Sequence, residues 1–113
     1  MRVQLKKYDV KDLDRLKYLV TNEEIKKTFM IPDFQSEEDL LKMVNKLMEW
    51  SRSKEHYERG IYLENQLIGF VVDVENEDFT IEVGYVVDPA FGNQGYATES
   101  LQIAIKELFQ MGY

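Results

Sequence analysis

The stretch from Phe79 to Gly112, FTIEVGYVVDPAFGNQGYATESLQIAIKELFQMG, constrains the fold more than any other part of the chain. Phe79, Ile81, Val83, Tyr85 and Val87 recur at period two and predict a strand ending at Val87, with Glu82, Gly84 and Val86 on its other face. Asp88-Pro89 marks a turn. Gly92-Asn93-Gln94-Gly95 then opens straight into a helix, whose expected buried stripe is Ala97, Leu101, Ala104, Ile105 and Leu108, with Gly112 as the residue after its C-terminus. A glycine-spaced loop between a strand and a helix gathers unpaired backbone N–H groups around one point. The helix dipole adds roughly half a positive charge there. Such a point suits an anion, phosphate above all, and Gly92 and Gly95 bring no Cβ to hold a ligand off the main chain. The loop lacks the Gly-Lys-Ser/Thr of a P-loop and the glycine spacing of a dinucleotide fingerprint.

The run EVGYVVDPAFGNQGYATESL, Glu82 to Leu101, closely resembles the acetyl-CoA-binding motif of GNAT-family N-acetyltransferases, in particular the RimJ/RimL type that acetylates ribosomal-protein N-termini. The family's loop reads Arg/Gln-x-x-Gly-x-Gly/Ala; Gly95 and Ala97 match its last two fixed positions, and Gly92 departs from the first. The resemblance implies an α/β (α+β) fold whose mixed, mainly antiparallel sheet of about four strands is flanked by helices. It implies acetyl-CoA as co-substrate, no metal, and a primary amine as acceptor: a ribosomal or other protein N-terminus, or a small-molecule amine. The implied cofactor contacts are the main chain of Val86, Val87, Gly92, Asn93, Gln94, Gly95, Tyr96 and Ala97, with the Thr98 hydroxyl. Glu82 matches a strand glutamate that serves several of these enzymes as general base; the plainer reading has it facing water. Gly84 is expected to permit a bulge that frees a strand N–H to polarise the thioester carbonyl.

The 113 residues allow one domain. With 44% hydrophobic residues the composition is that of a globular chain, and the absence of cysteine excludes a disulfide framework and a thiol nucleophile. The early charges Arg2, Lys6, Lys7, Asp9 and Asp12 do not fit a signal peptide, and no apolar run is long enough to span a bilayer, so a cytoplasmic protein without membrane contact is expected. The net charge of −7 argues against nucleic acid and suits a cationic amine, although many cytoplasmic proteins are acidic for solubility alone.

Elsewhere, Val3 and Leu5 predict a first strand. Asp9 is expected to cap a helix with Val10, Leu13, Leu16, Leu19 and Val20 on its apolar side, Thr21-Asn22 to break it, and a short helix to follow through Lys27. Ser36 should start a helix whose apolar face is Leu40, Leu41, Val44, Leu47 and Met48. Phe29, Met30, Phe34 and Trp50 are candidates to border an acceptor cleft, with plain packing as the simpler role. Residues 60–63 and 67–72 read as a hairpin, and Asn76-Glu77-Asp78 as a second turn. His56, with no partner motif, reads as a surface residue. The resemblance covers residues 1–113 but only the first two thirds or so of a usual domain of the family, so a C-terminally incomplete domain is expected. Its fourth strand should form an open edge through which copies could pair. A CoA-binding or self-associating module without turnover is the competing functional reading, and a different helix-N-terminus phosphate binder a third.

Overall fold

The computed structural model describes residues 2–29, 31–77 and 80–113. Its centre is a four-stranded antiparallel sheet in the order β1 (Val3–Lys6), β2 (Glu58–Leu63), β3 (Gln66–Glu77), β4 (Thr80–Val87). Three helices, α1 (Leu13–Thr21), α2 (Glu23–Thr28) and α3 (Glu37–Trp50), fill the long connection from β1 to β2, and α4 (Tyr96–Gln110) follows β4. The expected α/β fold class is the one found.

Alternation along the strands builds two cores. Tyr8, Tyr62, Leu67, Phe70 and Val86 pack with Leu16, Leu19, Val20, Ile25, Val44 and Leu47 of α1–α3. Val3, Ile61, Ile68 and Val71 face the other way and meet Ala104 and Leu108 of α4. The tight turn between β2 and β3 is Glu64-Asn65, both at positive φ (50° and 72°), as a two-residue hairpin with right-twisted strands demands.

Several local expectations shift. Asp9 does cap, but it caps a 3₁₀ turn, Val10–Asp12, through a reciprocal capping box with Asp12; α1 proper starts at Leu13, and Val10 is left 82% exposed. In α3, Ser36 caps by accepting from the Asp39 amide, while Met43 takes the core place expected of Leu41, which is exposed. Asn76 and Glu77 are not a turn: they pair with Ile81 and Thr80. The calls on Met30, Asp78 and Phe79 lie outside the described residues. No bulge sits at Gly84. The extra residue between β3 and β4 is Val74 of β3, and pairing from Gly69↔Val87 to Asp73↔Val83 is unbroken. Along α4 the buried stripe is Ser100, Ala104 and Leu108, with Tyr96 and Ile103 beside it; Ile105 is 49% exposed. Gly112 stands where expected, at φ +107°, with the amides of Gly112 and Tyr113 bonded back to the carbonyls of Phe109 and Leu108 in a Schellman closure.

Glu58 and Asp88 are among the buried polar anchors of the described residues. Under the sheet, the Tyr8 hydroxyl donates to Glu58, which is fully buried and has one carboxyl oxygen without a partner among the described residues. Burial pushes the Glu58 carboxyl well above its ordinary value. At the end of β4, Asp88 accepts from Arg15 (2.8 Å), Tyr18 (2.9 Å) and the Ala90 amide (3.0 Å), and the Asp88 amide donates to the Ile68 carbonyl at 2.7 Å. Burial pushes this carboxyl up, but the bonds from Arg15, Ala90 and Tyr18 outweigh it and hold it below the usual carboxylate value.

Two outcomes are expected. Because burial raises the folded Glu58 carboxyl above the unfolded value near about 4.3, its contribution is complete below that pH and is lost as pH rises toward the folded value. Urea titrations at pH 5 and pH 8 should therefore show Glu58→Gln gaining stability relative to the parent as pH rises; a pH-independent difference would contradict this. Asp88→Asn leaves Arg15 without its carboxylate and should cost about 3 kcal/mol in the same titration at pH 7.

Candidate functional site

The site grows from the end of β4. Asp88, fixed on three sides, caps a 3₁₀ turn (Pro89–Phe91) that reverses the chain. The Gly92 amide closes this turn onto the Pro89 carbonyl at 3.1 Å. Gly92, Asn93, Gln94 and Gly95 are all exposed. Asn93 takes φ +61° and Gly95 φ +82°, left-handed values that asparagine and glycine adopt at least cost. Gly95 is the N-cap of α4 and has no side chain to satisfy the first helical amides. The first bond back into the helix is from Glu99 to the Gly95 carbonyl. Among the described residues the amides from Asn93 to Thr98 thus have no protein acceptor. They stand together at the positive end of a 15-residue helix. An anionic group offering several oxygens fits these donors, and a Cβ at position 95 would both oppose the φ value and reach 3.1 Å from the Arg2 guanidinium.

The structure brings Asn93, Gln94, Gly95, Tyr96, Ala97 and Thr98 into this one cluster; Gly92 adjoins it, but its amide is already taken by the Pro89 carbonyl. Val86 and Val87 lie at the adjoining end of β4: the Val86 side chain is buried toward α1–α3 and that of Val87 packs toward α4. β4 is an outer strand of the sheet, so alternate N–H and C=O groups along it face away from β3. Glu82 is apart from the loop, five residues upstream of Val87 and so about 17 Å along the strand. It is exposed and pairs across the ladder with Glu75, in a shallow recess also lined by Glu77, Thr80 and Ile81. The Phe29 ring lies over Gly84, where a Cβ would come within 2.9 Å of it, and meets Phe70 edge-on. Phe29, Phe34 and Trp50 are partly buried against the helical core, which is the packing role.

Three contacts were not legible in the sequence. Arg2 reaches across from the start of β1 to Gln94, Tyr96 and Glu99. Arg15 and Tyr18 of α1 hold Asp88. His56 does have partners: its Nδ1 lies 3.1 Å from Asp73, and its ring stacks on Trp50 at 4.8 Å. These residues line an open cleft of about 770 Å³ with Lys54, Glu55 and Glu77. The i,i+4 spacing of Arg15 and Leu19 exposes nothing unusual, and no local pattern ties residue 2 to residue 99. Among the described residues no helix is long and apolar enough to cross a membrane, and no group of three or more His, Cys, Asp or Glu could hold a metal ion.

With this geometry the chain can be set beside known proteins. The acetyltransferase (GNAT) domain family matches residues 2–112. The GNAT-family acetyltransferase from Bacillus anthracis is similar at 29% identity with a TM-score of 0.79, over 98% of this chain and 64% of that one. RimL, a ribosomal L7/L12 alpha-N-protein acetyltransferase, gives 20% identity and 0.79 over 99% and 63%. Spermidine N-acetyltransferase from Vibrio cholerae, solved with CoA and spermine, gives 19% and 0.78 over 96% and 64%. The last two likenesses concern the fold alone. The chain spans less than two thirds of the length of each of these three structures. Comparison with curated proteins gives no match. A strand, a left-handed glycine loop and an uncapped helix in this order, together with a family match over nearly every residue, establish that the chain belongs to the GNAT acetyltransferase domain family.

Proposed function

We propose that this protein transfers an acetyl group from acetyl-CoA to a cationic primary amine. The observation that carries the proposal is the set of acceptor-free amides from Asn93 to Thr98, gathered by two left-handed residues at the N-terminus of α4 and laid against the end of an open-edged strand. The amides of Asn93, Gln94, Gly95, Tyr96 and Ala97, with the Thr98 hydroxyl, hold the diphosphate of coenzyme A. The outward polar groups near Val86 and Val87 hold the pantetheine amides. The thioester supplies an activated acetyl group, and the chain supplies orientation and proton removal. Relatives support the choice of ligand: the Vibrio cholerae enzyme was solved with CoA and spermine.

The acceptor enters along the Glu82 end of β4. An amine of pKa near 10 is neutral in only about one molecule in a thousand at pH 7, a handicap of roughly 4 kcal/mol. Glu82 is assigned as the general base that takes this proton, directly or through water. Its neighbours Glu75 and Glu77 make the recess anionic, which draws a cationic amine and leaves a protein N-terminus and a polyamine both acceptable. A reaction of this kind, in a chain free of cysteine, fits a cytoplasmic setting.

A second reading keeps the cradle without turnover. It is favoured by the outer position of β4, by the exposed Tyr85 on it and by the exposed Ile105 and Phe109 of α4 beside Thr80 and Ile81, which suit pairing with another chain. Thiol release from acetyl-CoA across a panel of primary amines separates the two: amine-dependent release supports the transferase, and CoA binding without release supports the second reading.

Gly95→Val should lower CoA affinity at least tenfold by calorimetry while the far-ultraviolet spectrum stays that of the parent; unchanged affinity removes the loop from the site. In a chain that turns over, Glu82→Gln should reduce kcat/KM about a hundredfold at pH 7. The deficit should shrink as pH rises toward the amine's own pKa, because less of the acceptor then needs a base.

A further inference from the structure

Arg2 makes several contacts to the loop and the start of α4 that nothing in the local sequence announces. Its backbone N–H donates to Glu99 Oε1 at 2.9 Å, its Nε to Glu99 Oε2 at 2.8 Å, and its Nη2 to the Gln94 carbonyl at 2.6 Å. The same Nη2 lies 2.6 Å from Glu99 Oε2, and the guanidinium sits 4.5 Å above the Tyr96 ring. A single side chain thus engages the last residue before the helix N-cap, the first residue of the helix and the fourth. The Arg2 amide and guanidinium hold the Glu99 carboxyl below its usual range.

The consequence follows from peptide geometry. The Gln94–Gly95 bond is trans, so the Gln94 carbonyl and the Gly95 N–H lie in one peptide plane and point in opposite directions within it. Arg2 grips the carbonyl from the β1 side. The Gly95 N–H is thereby turned away from β1, and among the described residues nothing accepts from it. A rotation of this peptide would exchange the two groups and present a carbonyl oxygen to the incoming anion. Gln94 is exposed, and among the described residues Arg2 is the one donor to its carbonyl.

We propose that Arg2 is a positioning residue for the diphosphate loop: by holding the Gln94 carbonyl, and being held in turn by Glu99 and Tyr96, it presets the Gly95 N–H as a donor before coenzyme A arrives. This rests on the reading of the loop as the coenzyme A cradle, but the presetting itself is a property of the free chain and can be measured there.

The test uses the full chain, with Arg2→Met, Arg2→Lys and Glu99→Gln beside the parent. Backbone ¹⁵N relaxation of the free protein is read first. The parent should show order parameters near 0.85 for Asn93 to Gly95, and Arg2→Met should drop them below about 0.6. Calorimetry follows with two probes, CoA and pantetheine, which lacks the diphosphate. Arg2→Met should weaken CoA about tenfold, the scale of a loop ordered only on binding, and leave pantetheine unchanged. Arg2→Lys, which keeps the charge but not the planar fork, should restore only part of the loss. If Arg2→Met fails to fold, Glu99→Gln carries the same two readings, with a smaller loosening expected. An equally ordered loop with unchanged CoA affinity overturns the proposal. So does an equal loss for CoA and pantetheine, which would make Arg2 a general stabiliser. A loop that loosens in a protein that binds no CoA even as the parent would overturn the function proposed above while leaving the positioning role of Arg2 standing.

Discussion

Everything at the functional end of this molecule hangs on the knot around Asp88. A carboxylate with almost no exposure, gripped by Arg15 and Tyr18 of α1 and by its own turn at Ala90, joins the helical layer on one face of the sheet to the loop that feeds the helix on the other. Arg15 also donates to the Leu67 carbonyl at 2.9 Å, so the same side chain ties down the start of β3. A buried ion pair of this sort adds little net stability compared with apolar packing, yet removing one partner is costly because it strands the other charge. Its worth here is geometric. It decides where β4 ends and in which direction the chain leaves it.

The sheet between the two helical layers shows the same division of labour. Apolar alternation supplies the burial that holds the layers together, about 25 cal/mol for each Å² of apolar surface removed from water. The buried polar groups set direction. Tyr62 donates to Asp12 at 2.5 Å, and Asp12 closes the capping box with Asp9, so the entry to α1 is registered against β2. Tyr8 does the same through Glu58. Both tyrosines have hydroxyl pKa values raised chiefly by desolvation. Charges at the exposed edge of β4 are arranged differently: Glu75, Glu77 and Glu82 crowd one end of the strand, while the amides of the loop and the N-terminus of α4 occupy the other. One strand thus separates a cluster of carboxylates from a cluster of main-chain donors.

Much of this was readable in the linear chain where the determinants are short-ranged. The strand from Thr80 to Val87, the turn at Asp88-Pro89, the loop and the start of α4 at Tyr96 stand where the residue pattern puts them, since period-two alternation, proline and glycine act within a few positions. Departures appear where neighbours distant in sequence compete. Leu41 yields its core place to Met43, and Ile105 is left outside, because which side of a helix is buried depends on the surface it meets as well as on its own periodicity. The bulge moved from Gly84 to Val74 for a related reason: an extra residue is defined only by the pairing of two strands, and neither strand carries that information alone.

By itself, the order of residues determined the elements, the antiparallel hairpin core, the family and the glycine loop that opens α4, all of which follow from local backbone preferences and the spacing of apolar side chains. Only the folded chain decided that Arg2 meets Glu99, that Arg15 and Tyr18 meet Asp88, and that His56 finds Asp73 and Trp50. These contacts join residues up to 97 positions apart. Side-chain charge and hydrogen bonding act over a few ångströms of space, and only the packing of helices against both faces of the sheet brings such partners within that reach.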